Sequence, residues 1–151
     1  MAVITLAQAS TIIDEALSRA RQLGTAPMTV AVLDAGGHLI AFKREDRSGI
    51  LRPDIAVAKA WGALGLGAST RFFGAIAEQR PHLFATFSTL AGGRLVPADG
   101  GVLIRDGGGE LLGAVGVSGD RSDVDEQCAL HGIAAAGLQA DLEPPMAPRV
   151  K

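Results

Sequence analysis

A chain of 151 residues, 48% hydrophobic and 20% charged, can bury one sizeable core and has little room for a second. A formal charge of -2, only 4% aromatic residues and no run of Lys or Arg leave neither a phosphate-tracking stripe nor a base-stacking platform, so nucleic acid is not an expected partner. The single cysteine, Cys128, excludes an internal disulfide; no stretch reaches the ~18 apolar residues of a membrane span, and Met1 to Leu6 lacks the basic start and apolar run of a signal peptide, which makes the cytoplasm the expected location.

Thr5-Leu6-Ala7-Gln8 reads as a capping box, so a helix starts there. Leu6, Ala9, Ile13, Ala16, Leu17 and Ala20 give it one apolar stripe, and Gly24 supplies its C-cap. Met28 to Leu33 and His38 to Lys43 are rich in strand formers and flank Asp34-Ala35-Gly36-Gly37, which predicts an antiparallel hairpin. Pro53 opens the next helix, and Ile55 to Leu66 is apolar all round apart from Lys59, the pattern of a helix sandwiched between layers that ends near Gly65. Ser69 or Thr70 caps a short helix through Gln79, and Pro81 opens another through about Leu90. Ala91 to Gly100 has no period and is expected as a surface loop over a ligand site. Val102 to Arg105 and Leu111 to Val117 form a second hairpin around Gly107-Gly108-Gly109, and Asp120 to Asp123 cap a closing helix to roughly Leu138. Residues 1-142 are expected to form a single domain, with 143-151 a proline-rich tail.

Leu6-Ala7-Gln8-Ala9, Val30 to Leu39, Arg44-Glu45-Asp46, Ile55 to Ala60, Gly113 to Gly119 and Asp125 to Gly132, in that order, resemble the GlcG/HbpS haem-binding family, which includes the C-terminal domain of PduO-type proteins. The resemblance implies an α+β fold of the profilin-like kind, an antiparallel sheet of about five strands with helices packed on it. It implies a small-molecule ligand, haem or a related tetrapyrrole, bound for storage or degradation, and self-association into a homo-oligomer of dimers or larger rings.

Haem requires an apolar slot, axial donors for its iron and cationic or amide groups for its propionates. Tyrosine is absent, which leaves His38, His82, His131, Cys128, Met1, Met28 and Met146 as donors. His82, in a first helical turn facing the 91-100 loop, and His131, three residues after Cys128 on the last helix, are the expected iron ligands. His38 follows a glycine turn and is expected to be exposed and silent, and Cys128 to be buried. Lys59 either meets an anionic ligand group or pairs with Asp46 or Asp54. Arg44, Asp46 and Arg52 line the same expected site, and Gly100, Gly101, Gly116 and Gly119 would let a flat or anionic ligand reach backbone amides.

Two other readings fit the sequence. One is an enzyme or accessory protein of small organic-acid catabolism that uses Lys59, Arg44 and Asp46 as anion binder and acid/base. The other is a ligand-free assembly module whose Ala- and Gly-rich helices pack subunits together. No nucleophile elbow, Walker loop or dinucleotide fingerprint is present, so hydrolase and nucleotide-binding readings fall.

Overall fold

In a computed structural model describing residues 2–145, Thr5 opens helix α1 (Leu6–Leu23) through the capping box expected of it. Its hydroxyl accepts from the Gln8 amide and the Gln8 side chain accepts from the Thr5 amide, each at 3.0 Å. Gly24, at φ 67°, closes the helix in the left-handed conformation. The remaining elements follow as β1 (Thr29–Asp34), β2 (Leu39–Arg44), α2 (Arg52–Leu66), a 3-10 turn at Thr70–Phe72, α3 (Phe73–Gln79), α4 (Pro81–Leu90), β3 (Gly101–Arg105), β4 (Leu111–Ser118), α5 (Ser122–Ala135) and β5 (Gln139–Asp141). Met1, Met146 and the end of the proline-rich segment lie outside the described residues.

The five strands form one antiparallel sheet in the order β2-β1-β4-β3-β5. This is the α+β architecture expected from the sequence, with one difference at the end of the chain. The last helix stops at Ala135, Gly137 turns the chain at φ 73°, and three residues that had no visible strand pattern pair with β3. Arg121 stands at the N-cap of α5 without a capping side-chain hydrogen bond; Asp120 accepts instead from the Ala26 and Arg121 amides.

Alternation along the strands sends Val30, Val32, Val102, Ile104, Val115 and Val117 to one face, where α1 and α5 cover them. Leu33, Leu103 and Ala114 point to the other face, under α2. That helix lies close on the sheet, because the strands beneath it have glycine where side chains would stand, whereas its outer side keeps Asp54 and Gly65 exposed and Ile55, Val57 and Leu64 half-buried rather than covered by a second layer. A Cβ added to Gly116 would collide with the Ala56 carbonyl, and one added to Gly101 with the Lys59 carbonyl. Gly132 of α5 meets the Ile12 carbonyl of α1 in the same way. The small residues of α2 and α5 are therefore consumed within the chain; Ala56, Ala60, Ala63, Ala129 and Gly132 are buried here rather than left for subunit packing. A separate annex packs Phe73 and Phe84 edge to face, with Ala68, Ala91 and Leu95.

Gly116→Ala should destabilise the chain by about 1–3 kcal/mol or more, because the methyl meets backbone that cannot rotate away. Urea unfolding measures this. Gly108→Ala, with only the Asp106 carboxylate at 3.4 Å from the new methyl, is the control expected to change little.

Candidate functional site

Two regions compete for a ligand, one at each end of α2. At its N-terminal end, the strand register sets Arg44 opposite Thr29 and Thr29 opposite Ser118. Arg44 donates to the Ser48 carbonyl, Ser48 shares a 2.8 Å hydrogen bond with Thr29, and Arg52 reaches Ser118 at 3.2 Å. Lys59 is 2% exposed and donates to the Val117 carbonyl at 2.9 Å and to Asp125 at 3.1 Å. Its partner is thus on α5, not Asp46 or Asp54 as expected, because the ammonium passes between the strands and the helix rather than along α2. Gly100 sits against this ammonium, and Gly119 is closed over by Pro27 and Met28.

The structure therefore gathers Arg44, Arg52, Lys59, Gly100, Gly101 and Gly119 at one end of the sheet. Asp46 stands nearby, on the wall of a shallow hollow with Arg21, Arg44 and Glu45. Most of this end is internally satisfied. Burial lowers the Lys59 pKa against the pull of Asp125, and burial raises that of Asp125 against the pull of Lys59. Among the described residues no buried side-chain nitrogen or oxygen lacks a hydrogen-bond partner. The organic-acid reading thus meets a buried lysine two of whose three donors are already engaged within the chain. Sequence inspection missed Asp99, half-buried beside this pair; burial and Glu126 raise its pKa, while Arg71 is held by Glu126 at 3.1 Å.

At the other end of α2, the indole of Trp61 lies between two glycines. A Cβ on Gly37 would come within 3.1 Å of its Nε1, and one on Gly65 within 3.2 Å of its ring. The Arg94 guanidinium stacks on the indole, 3.6 Å from the centroid. Trp61, Gly65 and Leu66 with Phe87, Leu90, Ala91 and Leu95 line a mainly apolar hollow of about 210 Å³. Trp61 and Gly65 also wall a second, of about 180 Å³, running to Ala35, Gly36 and Gly37. Those residues lead to a third of about 250 Å³, bounded by Val3, His38 and Leu112. The first two share Trp61 and Gly65 and offer a groove surface for a flat apolar molecule with an anionic edge near Arg94, while the third shares only Ala35 and Gly36 of the β1–β2 turn with them and has neither Trp61 nor Arg94 on its wall. The 91-100 loop does border the surface at Trp61, through Ala91, Arg94 and Leu95.

The histidines divide differently from the sequence expectation. His82 stands exposed on the first turn of α4, and no residue of the groove wall touches it in a hydrogen bond. His131 faces Glu15 of α1 at 3.6 Å, on the sheet face opposite Trp61. Cys128 is fully buried, as expected. Among the described residues no three His, Cys, Asp or Glu side chains converge as a metal cluster, and no helix is long and apolar enough to cross a membrane.

A profile of the family described as "Haem degrading protein HbpS-like" matches residues 4–134. The corrinoid adenosyltransferase PduO of Salmonella typhimurium (strain LT2) is 30% identical over 123 residues, which is 82% of this chain and 36% of that protein, so the chain spans well under half of that relative's length. A double mutant of HbpS from Streptomyces reticuli superposes with a TM-score of 0.77 at 27% identity, over 89% of this chain and 87% of that one. The fold is shared more closely still with a PduOC:heme complex, at a TM-score of 0.82 and 24% identity over 91% of this chain and 98% of that one.

Two outcomes follow from the buried polar groups. Lys59→Met strands the Asp125 carboxylate and should cost about 3–5 kcal/mol in urea unfolding, with much of the loss recovered by pairing it with Asp125→Leu. Burial, reinforced by Asp125, pushes the Cys128 thiol from 9.0 up to about 11. Above pH 9 the unfolded chain releases this proton while the folded chain keeps it, so stability should fall between pH 9 and 11 by on the order of 2–3 kcal/mol. Cys128→Ala should remove that part of the pH dependence.

Proposed function

Since the chain belongs to the HbpS-like family of haem-degrading proteins, we propose that it binds haem or a closely related tetrapyrrole in the groove over Trp61. The observation that carries this reading is the pair of hollows that share Trp61 and Gly65, the larger of them mainly apolar, with a guanidinium stacked on the indole. A macrocycle needs apolar walls on both faces and a cation at one edge. Leu66, Phe87, Leu90 and Leu95 supply walls that exclude water. Arg94, freed from the indole or sharing it, pairs with a propionate in the two-pronged geometry of a guanidinium. Bound haem would bring an iron centre with open axial positions, and the chain would decide which donor reaches it and how much solvent does. Of the ligands anticipated from the sequence, His82 and His131 remain candidates to be tested by substitution. The names of the solved relatives support haem, and that of the curated relative brings a corrinoid into the same comparison.

Self-association is part of the proposal. Ile50 and Leu51 are 92% and 63% exposed, and Phe42 and Leu39 of the edge strand β2 are also exposed. A second copy covering these residues would remove them from water.

Trp61 is the only tryptophan in the chain, which makes the location testable. Haemin titration should give a shifted Soret band and quench the Trp61 fluorescence with the same saturation curve. A Soret shift without quenching would place the haem elsewhere. Leu90→Glu, at an 80% exposed position, should abolish uptake without lowering the melting temperature. Cobalamin in place of haemin tests the corrinoid alternative, and light scattering should report at least a dimer.

A further inference from the structure

The cation beside the indole is held on several sides, and these contacts decide which of its donors are left for a ligand. Helix α4 ends at Leu90, where Gly92 and Gly93, at φ 64° and 83°, reverse the chain and the Gly93 amide donates to the Ser88 carbonyl at 2.8 Å. Arg94 thus leaves the chain between two anchors, Ala91 and Leu95, which are buried in the aromatic annex and also line the larger hollow. Its Nε donates to the Ala91 carbonyl at 2.8 Å, and one face of the guanidinium lies on the Trp61 ring, 3.6 Å from the centroid. An arginine carries five N–H donors and no acceptor. One is engaged by Ala91, while the four on the terminal nitrogens meet no acceptor among the described residues. Every residue lining the two hollows that share Trp61 is apolar or glycine, so no carboxylate in those walls offsets the charge.

We propose that Arg94 is the specificity-determining residue of this groove: it selects a flat ring that carries free carboxylates over the same ring with its carboxylates amidated or esterified. The inference rests on the haem reading of the groove. The N–H bonds of a guanidinium lie in its plane, so stacking covers the face and leaves the end-on fork of the two terminal nitrogens open. A carboxylate takes two parallel bonds from that fork and supplies the missing charge. A neutral amide offers one carbonyl oxygen, and its NH2 finds no acceptor on arginine. Exposed ion pairs contribute little, in part because two long side chains must be ordered. Here the indole and the Ala91 carbonyl order one of them before the ligand arrives, which leaves more of the attraction for binding. The iron takes no part in this contact, so the selectivity belongs to the edge of the ring.

The test compares haemin with haemin diamide, in which both propionates are neutral amides, on the wild-type chain and on Arg94→Gln, read by the Soret band and by Trp61 fluorescence. Wild type should favour haemin by about threefold to tenfold. Arg94→Gln should bring the two affinities together with the melting temperature little changed, because the side chain is exposed. A residue that merely shaped the groove would lower both affinities alike and leave their ratio intact. Metal-free protoporphyrin and its diamide, followed by quenching alone, should reproduce the wild-type ratio. Equal affinity of the wild-type chain for haemin and haemin diamide overturns the proposal and leaves the haem reading standing. A preference that survives Arg94→Gln, or one seen with haemin and absent from the metal-free ring, does the same. No uptake of haemin by the wild-type chain overturns both.

Discussion

Everything in this fold depends on how closely the backbone of α2 lies on strands β3 and β4. The carbonyls of Ala56 and Lys59 occupy the space where side chains of Gly116 and Gly101 would otherwise stand. Contact at that range fixes both the height and the direction of the helix, because alanines at 56, 60 and 63 leave no longer side chain to act as a spacer. With the helix fixed, Lys59 has a single outlet, between strand and helix to Asp125. Trp61, two residues on, is delivered to the β1–β2 turn.

Helix α2 therefore separates two kinds of chemistry. Lys59 and Trp61, two residues apart, leave the helix about 160° from one another, so the charged cluster and the apolar hollow lie on different sides of it. At the charged end, paired ions and backbone carbonyls satisfy one another, which offsets the cost of taking both charges out of water. At the groove the opposite holds. Gly65 and Gly37 remove side-chain bulk around one indole, and the polar group left there, Arg94, is accessible.

Local signals in the sequence translated directly into structure. The Thr5–Gln8 box, Gly24, Pro81 and the two glycine-centred turns act within a few residues, and the elements they bound appear where those signals place them. What stayed hidden depends on residues distant in the chain. Nothing near Lys59 names Asp125 as its partner, and Gln139–Asp141 is a strand only because β3 offers an open edge. Small residues in helices are equally ambiguous from sequence: Ala56 and Gly132 fit a subunit interface as well as an internal contact, and the internal contact took them. The Asp34–His38 pair was within reach. An aspartate four residues before a histidine across a Gly-Gly turn brings carboxylate to imidazole, while the ring stays 78% exposed, as its place at the strand end leads one to expect.

The order of the strands has a consequence for how the chain is made. Strand β1 lies between β2, which follows it at once, and β4, whose Ser118 pairs with Thr29. During synthesis the first hairpin emerges with one long edge bare, and an isolated hairpin is at best marginally stable. Its partner strand, and the α5 helix that covers the same valines, come only from the last third of the chain. Closing so long a loop opposes early nucleation, so the sheet assembles late and cooperatively rather than growing behind the ribosome. Until then Val30 and Val32 belong to a strand with one unpaired edge, and such an edge is a template for pairing with another chain.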